Sequence, residues 1–273
     1  MAALADEGFL DIEPQRLEYR FIGPRADEVP TIVLLHEGLG CVGLWGDFPE
    51  QLAAASGLGV FAYSRAGYGA SSTISLPRPV TYMHEEAQQI LPRVLDAIGF
   101  QQGLLVGHSD GASIAAIFQG SVSDPRVRGM TLIAPHFFTE EGGLKEIAKA
   151  RDAYHVSLKE KLARWHKDVD AAFLGWNDVW LNPEFHNWNI HEYLRTIRVP
   201  VQVIQGVDDQ YGTDAQVEAV RAGCPAPVDV IMLEDVRHSP HREAADATVD
   251  AIVGFARQVL DVPRVPGRRS ANS

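Results

Sequence analysis

Residues Leu104–Ala112, LLVGHSDGA, place the tightest constraint on what this 273-residue chain can fold into. Three apolar residues run into Gly107-His108-Ser109-Asp110-Gly111, and a small-residue helix pattern follows: Ala112, Ser113, Ile114, Ala115, Ala116. That order predicts a buried strand, a sharp turn and a helix packed close to the sheet. So tight a turn forces its central residue into a strained backbone conformation, and the flanking glycines remove the side chains that would clash there. The strain lifts the Ser109 hydroxyl above the sheet, with the free N–H groups of a helix N-terminus behind it. A serine held in this way is a candidate nucleophile. It needs a positioned base, an acid to orient that base, and donors for the oxygen of a tetrahedral intermediate.

The rest of the chain supplies a sheet around that turn. Thr31–Leu35 (TIVLL), Gly59–Tyr63 (GVFAY), Val127–Ile133, Val201–Gln205 (VQVIQ) and Val228–Leu233 read as further strands. The continuous apolar runs among them are typical of strands covered on both faces. Phe9–Ile12 and Gln15–Ile22 read as antiparallel edge strands. Helices are expected over Trp45–Ala55, Tyr82–Ile98, Asp214–Ala222 and from Pro240 to Leu260, with Pro92 kinking or splitting the second and Gly99 closing it. This alternation predicts an α/β fold with a mostly parallel central sheet and helices on both faces. From 137 to 197 the alternation stops. That segment has no strand candidate and is rich in Trp and His, so it is expected to be an inserted helical cap. The core is then residues 1–136 and 198–262, and the Pro/Gly/Arg/Ser-rich tail, 263–273, is expected to be disordered.

Several function classes are excluded by composition. A net charge of −12 argues against nucleic acid and against an anionic membrane surface as partners. No apolar run approaches the roughly 20 residues of a membrane helix, and the acidic N-terminus is no signal peptide. Cys41 and Cys224 lack metal-ligand or redox spacing and read as reduced residues of a cytoplasmic protein. Gly67-Tyr68-Gly69 has no Lys-Ser/Thr after it, so it is a turn and not a nucleotide loop. No cofactor and no metal is expected. A small-molecule substrate remains as the partner, acted on by a monomer or a homodimer.

In open α/β sheets the reactive groups gather beyond the carboxyl ends of the strands. Gly206-Val207-Asp208-Asp209 follows one strand there, and Glu234 to His241 follows another. His238 is the candidate base, in the loop before a helix that Pro240 can start; His241 falls inside that helix and points elsewhere. Asp208 and Asp209 face opposite sides of an extended chain, and only one of them can orient His238. One oxyanion donor is the Asp110 N–H, and the other comes from the loop after Thr31–Leu35, at Gly38 or Leu39. Glu37 precedes that donor. A carboxylate aimed at the oxyanion would oppose catalysis, so its side chain is expected to turn away, with Arg65 as its partner. His136, Phe137, Trp176, Trp180 and Trp188 are the candidates to line a substrate pocket.

The GHSDG turn between strand and helix, the glycine-rich HEGLG loop and the chain order Ser, Asp, His together resemble the α/β-hydrolase family over nearly the whole chain. The resemblance implies a cofactor-free hydrolase working through an acyl-serine, and its G-x-x-D pattern selects Asp209 as the acid. Glu37 departs from the family pattern, in which glycine follows the histidine directly. Serine at the turn sets the chain apart from the aspartate-nucleophile branches, the haloalkane dehalogenases and epoxide hydrolases. Within the serine branch a small carboxylic ester or lactone is the expected substrate. One rival is hydrolytic C–C cleavage of a dianionic ring-fission product, for which Arg151, Arg164 or Arg195 would supply a cationic clamp. The other is a ligand receptor with little turnover.

Overall fold

Runs of apolar residues without polar interruption are stable only where both faces of a strand are covered, and the centre of the molecule is built from them. The computed structural model describes residues 4–260. Its strands are β1 (Glu7–Ile12), β2 (Gln15–Ile22), β3 (Thr31–Leu35), β4 (Gly59–Tyr63), β5 (Gly103–His108), β6 (Val127–Ile133), β7 (Val201–Gly206) and β8 (Val228–Leu233). They form one eight-stranded sheet in the order β1-β2-β4-β3-β5-β6-β7-β8. β1 pairs with β2, and β2 with β4, in antiparallel fashion, so of these two strands β1 is an edge and β2 lies inside the sheet; every other pair is parallel.

Alternate residues of the central strands feed two cores. Ile32, Leu34, Val60, Ala62, Leu104 and Val106 meet the helices Phe48–Ser56 and Ala245–Leu260 on one face. Val33, Leu35, Phe61, Tyr63 and Leu105 meet the helix Asp110–Ser121 and the segment 82–97 on the other. Between β6 and β7 the regular elements are helical, joined by a single isolated bridge between Phe138 and Asn189. Among the described residues no helix is long and apolar enough to cross a membrane. Both cysteines are free and buried. The tail expected at 263–273 lies outside the described residues.

Three helices differ from the sequence expectation. The segment expected as one helix over Tyr82–Ile98 is a short helix, Tyr82–Glu85, a π turn, Glu86–Ile90, and a second helix, Leu91–Ala97. Pro92 has no N–H to give to the carbonyl four residues back, and the wider π turn falls where that bond is missing. The wide turn also brings Glu86 onto the Tyr63 hydroxyl, at 2.8 Å. The helix expected from Trp45 begins only at Phe48, after a 3₁₀ turn over Val42–Trp45. The last helix is interrupted at Ala244, whose φ of −138° and ψ of 54° end the turn Pro240–Glu243.

What this frame does for function is concentrated where β5 turns into the helix Asp110–Ser121. A Cβ at Gly107 would come within 2.3 Å of the Gly111 carbonyl oxygen, and one at Gly111 within 2.0 Å of the Leu35 carbonyl oxygen. Neither backbone oxygen can yield without moving a strand or the helix. Gly111→Ala is therefore expected to lower unfolding stability by about 3 kcal/mol, the upper end of ordinary overpacking costs, read as a reduced midpoint in a urea titration. A midpoint equal to that of the parent chain would contradict the close packing.

Candidate active site

Ser109 sits at the sharp turn with φ 54° and ψ −117°, a strained conformation for any residue with a Cβ. Its N–H is tied to the Ile133 carbonyl at 2.9 Å, and its own carbonyl accepts the Ala112 and Ser113 N–H groups at 2.9 and 3.2 Å. Sheet and helix thus hold its backbone from both sides. Its side chain opens into a cavity of about 160 Å³ that is also lined by Glu37, Gly38, Leu39, Asp110 and His238, together with wall residues described below.

His238 reaches that cavity from the loop after β8. Its Nδ1 lies 2.9 and 2.8 Å from the two carboxylate oxygens of Asp209. A carboxylate only accepts, so Nδ1 carries a proton, and in the neutral ring Nε2 is the nitrogen with the lone pair. Asp209 is otherwise fully engaged. Its Oδ1 accepts the Tyr211 N–H at 2.8 Å, and its Oδ2 accepts Gln205 Nε2 at 2.9 Å. Burial alone would raise this carboxyl, but the His238 bond, the His238 charge and the Tyr211 N–H outweigh it and hold the group down at about 2. Asp208 is exposed, and its contact with the loop after β8 is a backbone bond to the Val236 carbonyl at 2.9 Å. The geometry brings Asp209 to His238 and leaves Asp208 out.

His241 points elsewhere, as its place in the turn Pro240–Glu243 requires. Its ring packs 5.0 Å from Trp45 and 4.6 Å from His108. No group of three or more His, Cys, Asp or Glu able to hold a metal is found among the described residues.

Gly38 and Leu39 follow β3 and form the cavity wall beside Ser109, and Asp110 opens the helix behind it. A Cβ on Gly38 would fall 2.2 Å from the Trp176 ring nitrogen, so a larger residue there would have to displace the Trp176 ring. The expected pairing of the Glu37 carboxylate with Arg65 is not what forms. Arg65 donates instead to the backbone carbonyls of His36 and Glu37, at 2.5 and 3.0 Å. The carboxylate faces away from Arg65, with His108 Nδ1 at 3.5 Å and Arg242 at 3.9 Å. Arg65 is 2% exposed, and the groups of this loop that its guanidinium meets are the two carbonyls, which keeps the buried charge hydrogen-bonded.

The cavity walls come partly from the helical segment. Ile147, Trp176 and Trp180 line it, with His136 and Tyr211 from the core loops. Phe137 and Trp188 do not. Phe137 is wholly buried in the core, and Trp188 stacks on Phe185 with ring centroids 5.0 Å apart. His136 is neutral, since burial and the neighbouring His238 push its imidazole down to about 3. Asp110 is buried under the wall, its carboxylate accepting the Tyr82 hydroxyl, which in turn accepts Trp180 Nε1 at 3.2 Å. Burial pushes the Asp110 carboxyl up against the pull of Arg65 and of the Tyr82 bond. Sequence reasoning missed Tyr211 and Ile147. Tyr211 stands two residues past Asp209 in the same loop, a proximity that marks it in hindsight; Ile147 carries no local signal.

Comparison with known proteins agrees with this architecture. The model of the alpha/beta hydrolase family matches residues 32–251. A proline iminopeptidase of Lactobacillus delbrueckii subsp. bulgaricus is 23% identical over 229 residues, spanning 70% of this chain and 77% of that protein. Epoxide hydrolase B of Mycobacterium tuberculosis is 34% identical over 97 residues, spanning 35% of this chain and 26% of that protein. Among solved structures, the enol-lactonase from Burkholderia xenovorans LB400 superposes with a TM-score of 0.71 at 21% identity, covering 91% of this chain and 99% of that one.

The low-lying Asp209 carboxyl has a consequence for stability. Its folded value lies below the ordinary unfolded one, so it stabilises the fold above about pH 4 and loses that contribution as pH falls toward 2. Asp209→Asn should reduce the loss of unfolding free energy between pH 4 and pH 2 by on the order of 2 kcal/mol. Identical pH slopes for the two chains would contradict the pairing.

Proposed function

The chain belongs to the alpha/beta hydrolase family, and from that premise we propose that it is a cofactor-free serine hydrolase cleaving a small carboxylic ester or lactone. His238 Nε2 takes the Ser109 proton as the oxygen attacks the carbonyl carbon. Asp209 holds the ring in the tautomer that can do so and stabilises the imidazolium. The Asp110 N–H and a second N–H from Gly38 or Leu39 receive the oxyanion. The imidazolium returns its proton to the leaving alkoxide as the tetrahedral intermediate collapses. Water then attacks the acyl-serine with His238 again as base. The helical segment 137–197 acts as the cap, closing the cavity with Ile147, Trp176 and Trp180.

The observation that carries this reading is the part-buried Asp209–His238 pair, whose imidazole lines the same cavity as Ser109. The relatives named above act on different bonds, so the substrate class rests on the cavity itself. A volume near 160 Å³ is about what holds one benzene ring in an engineered apolar cavity, which favours a small acyl group or a lactone ring. None of the residues lining it is Arg or Lys. Arg151, a candidate clamp, is committed to Asn177 at 2.7 Å and Asp178 at 2.5 Å, and Arg164 and Arg195 are not in the lining. A dianionic ring-fission product finds no cation there, which speaks against C–C cleavage.

Turnover of short p-nitrophenyl esters, simple lactones and ring-fission dienones, with Ser109→Ala as the blank, tests the proposal. Repeated turnover of an ester or lactone is expected, falling to background in Ser109→Ala and by about 10⁴-fold in kcat in Asp209→Asn. Cleavage of dienones alone, or one burst per site with retained ligand, would overturn it.

A further inference from the structure

We infer that Arg65 is the positioning residue of the oxyanion-binding loop: it holds the Glu37 carbonyl so that the Gly38 N–H, at the other end of the same peptide, faces the cavity. The inference rests on the serine-hydrolase reading above. Arg65 follows β4 and is 2% exposed. Its Nη2 donates to the Glu37 carbonyl at 3.0 Å and its Nη1 to the His36 carbonyl at 2.5 Å. Its backbone N–H donates to His36 Nε2 at 3.1 Å. With that nitrogen accepting, the neutral His36 ring carries its proton on Nδ1, which donates to the same Glu37 carbonyl at 2.7 Å. The Gly40 N–H adds a further bond to it at 3.1 Å.

A trans peptide is planar and stiff, and its C=O and N–H point in opposite directions. The cis bonds among the described residues are Glu13-Pro14 and Leu76-Pro77, so the link from Glu37 to Gly38 is trans. Donors gathered on the carbonyl side therefore fix the N–H on the other, where Gly38 forms the cavity wall beside Ser109. The same donors polarise the peptide and make that N–H a stronger donor to a developing oxyanion.

The charge this requires is supported locally. The Arg65 guanidinium lies 5.2 Å from the Tyr68 ring centroid, and the carboxylates of Asp110 and Glu86 favour its charged form against the burial that opposes it. Lysine could reach one carbonyl but not span two, because its ammonium lacks the guanidinium fork. The Glu37 carboxylate, turned toward His108 and Arg242, fits as well, since it leaves the guanidinium free for the backbone.

The test measures the rate at which phenylmethanesulfonyl fluoride modifies the full chain, located by peptide mass spectrometry, beside kcat and KM for p-nitrophenyl acetate. In Arg65→Gln both the labelling rate and kcat should fall by about 100-fold, the loss typical of one oxyanion donor, with KM within about twofold. Arg65→Lys should recover part of that loss, and the pH–rate profile should keep its midpoint in both variants, which a general loosening of the site would not allow. Should the Arg65 variants fail to fold, His36→Ala removes another donor to the same carbonyl without stranding a charge, and its labelling rate should drop as well. Parent-like labelling in folded Arg65→Gln, or in His36→Ala where the Arg65 variants do not fold, overturns the positioning role. A parent chain left unlabelled at Ser109 defeats the serine-hydrolase reading instead.

Discussion

Everything at the site depends on how closely the helix Asp110–Ser121 can approach the sheet. Ser109 stays at φ 54° because its N–H and C=O are each bonded to an element that cannot move: β6 on one side, the first turn of the helix on the other. The absent side chains at Gly107 and Gly111 allow that approach. Strain of this kind costs about 1–3 kcal/mol and persists only where surrounding packing over-determines it. Here two cores on opposite faces of one sheet do so. Ser109 is accordingly held rigid, and His238 and Asp209 come toward it on separate loops.

Those loops are coupled through the elbow. His108, next to Ser109, lies 2.7 Å by its Nε2 from the His238 carbonyl, and its Nδ1 lies 3.5 Å from the Glu37 carboxylate. One imidazole thus touches both the loop that carries His238 and the loop that carries Glu37 and Gly38. Beneath them, Arg65, Asp110, Glu86 and the tyrosines 63 and 82 form a buried polar layer in which opposite charges compensate one another. The cavity above this layer is a different environment: its imidazoles have no lysine or arginine among them, and its walls are largely aromatic and aliphatic. The cations are kept in the scaffold, and the polar groups that line the cavity are Glu37, Ser109, Asp110, His136, Tyr211 and His238.

Much of this was legible in the sequence because the signals are local. Apolar runs such as TIVLL and GVFAY specify doubly covered strands, and GHSDG between strand and helix specifies its own turn. The loops after β7 and β8 identify themselves by lying beyond strand ends. What was not legible depends on tertiary detail. Nothing local says that Arg65 finds carbonyls and not the nearby carboxylate, because that is decided by the direction from which it approaches. Asp208 and Asp209 were equivalent on residue chemistry and separated only by the family pattern; in the structure one is exposed and the other is buried against His238. Phe137 and Trp188 sit in aromatic-rich stretches where core and cavity residues have the same composition. The break within 82–97 was foreshadowed by Pro92, but not its form as a π turn that delivers Glu86 to Tyr63.

A crystal structure of the chain with a small trifluoromethyl ketone tests the central claim most directly, because such a ketone captures a tetrahedral adduct with its oxyanion. The account predicts a covalent bond from Ser109 Oγ to the carbonyl carbon, His238 Nε2 within hydrogen-bond reach of that oxygen, and the oxyanion about 2.7–3.1 Å from the Asp110 N–H and from an N–H of the Gly38–Leu39 loop. An inhibitor bound away from Ser109, or an adduct whose oxyanion points to neither N–H, would contradict it.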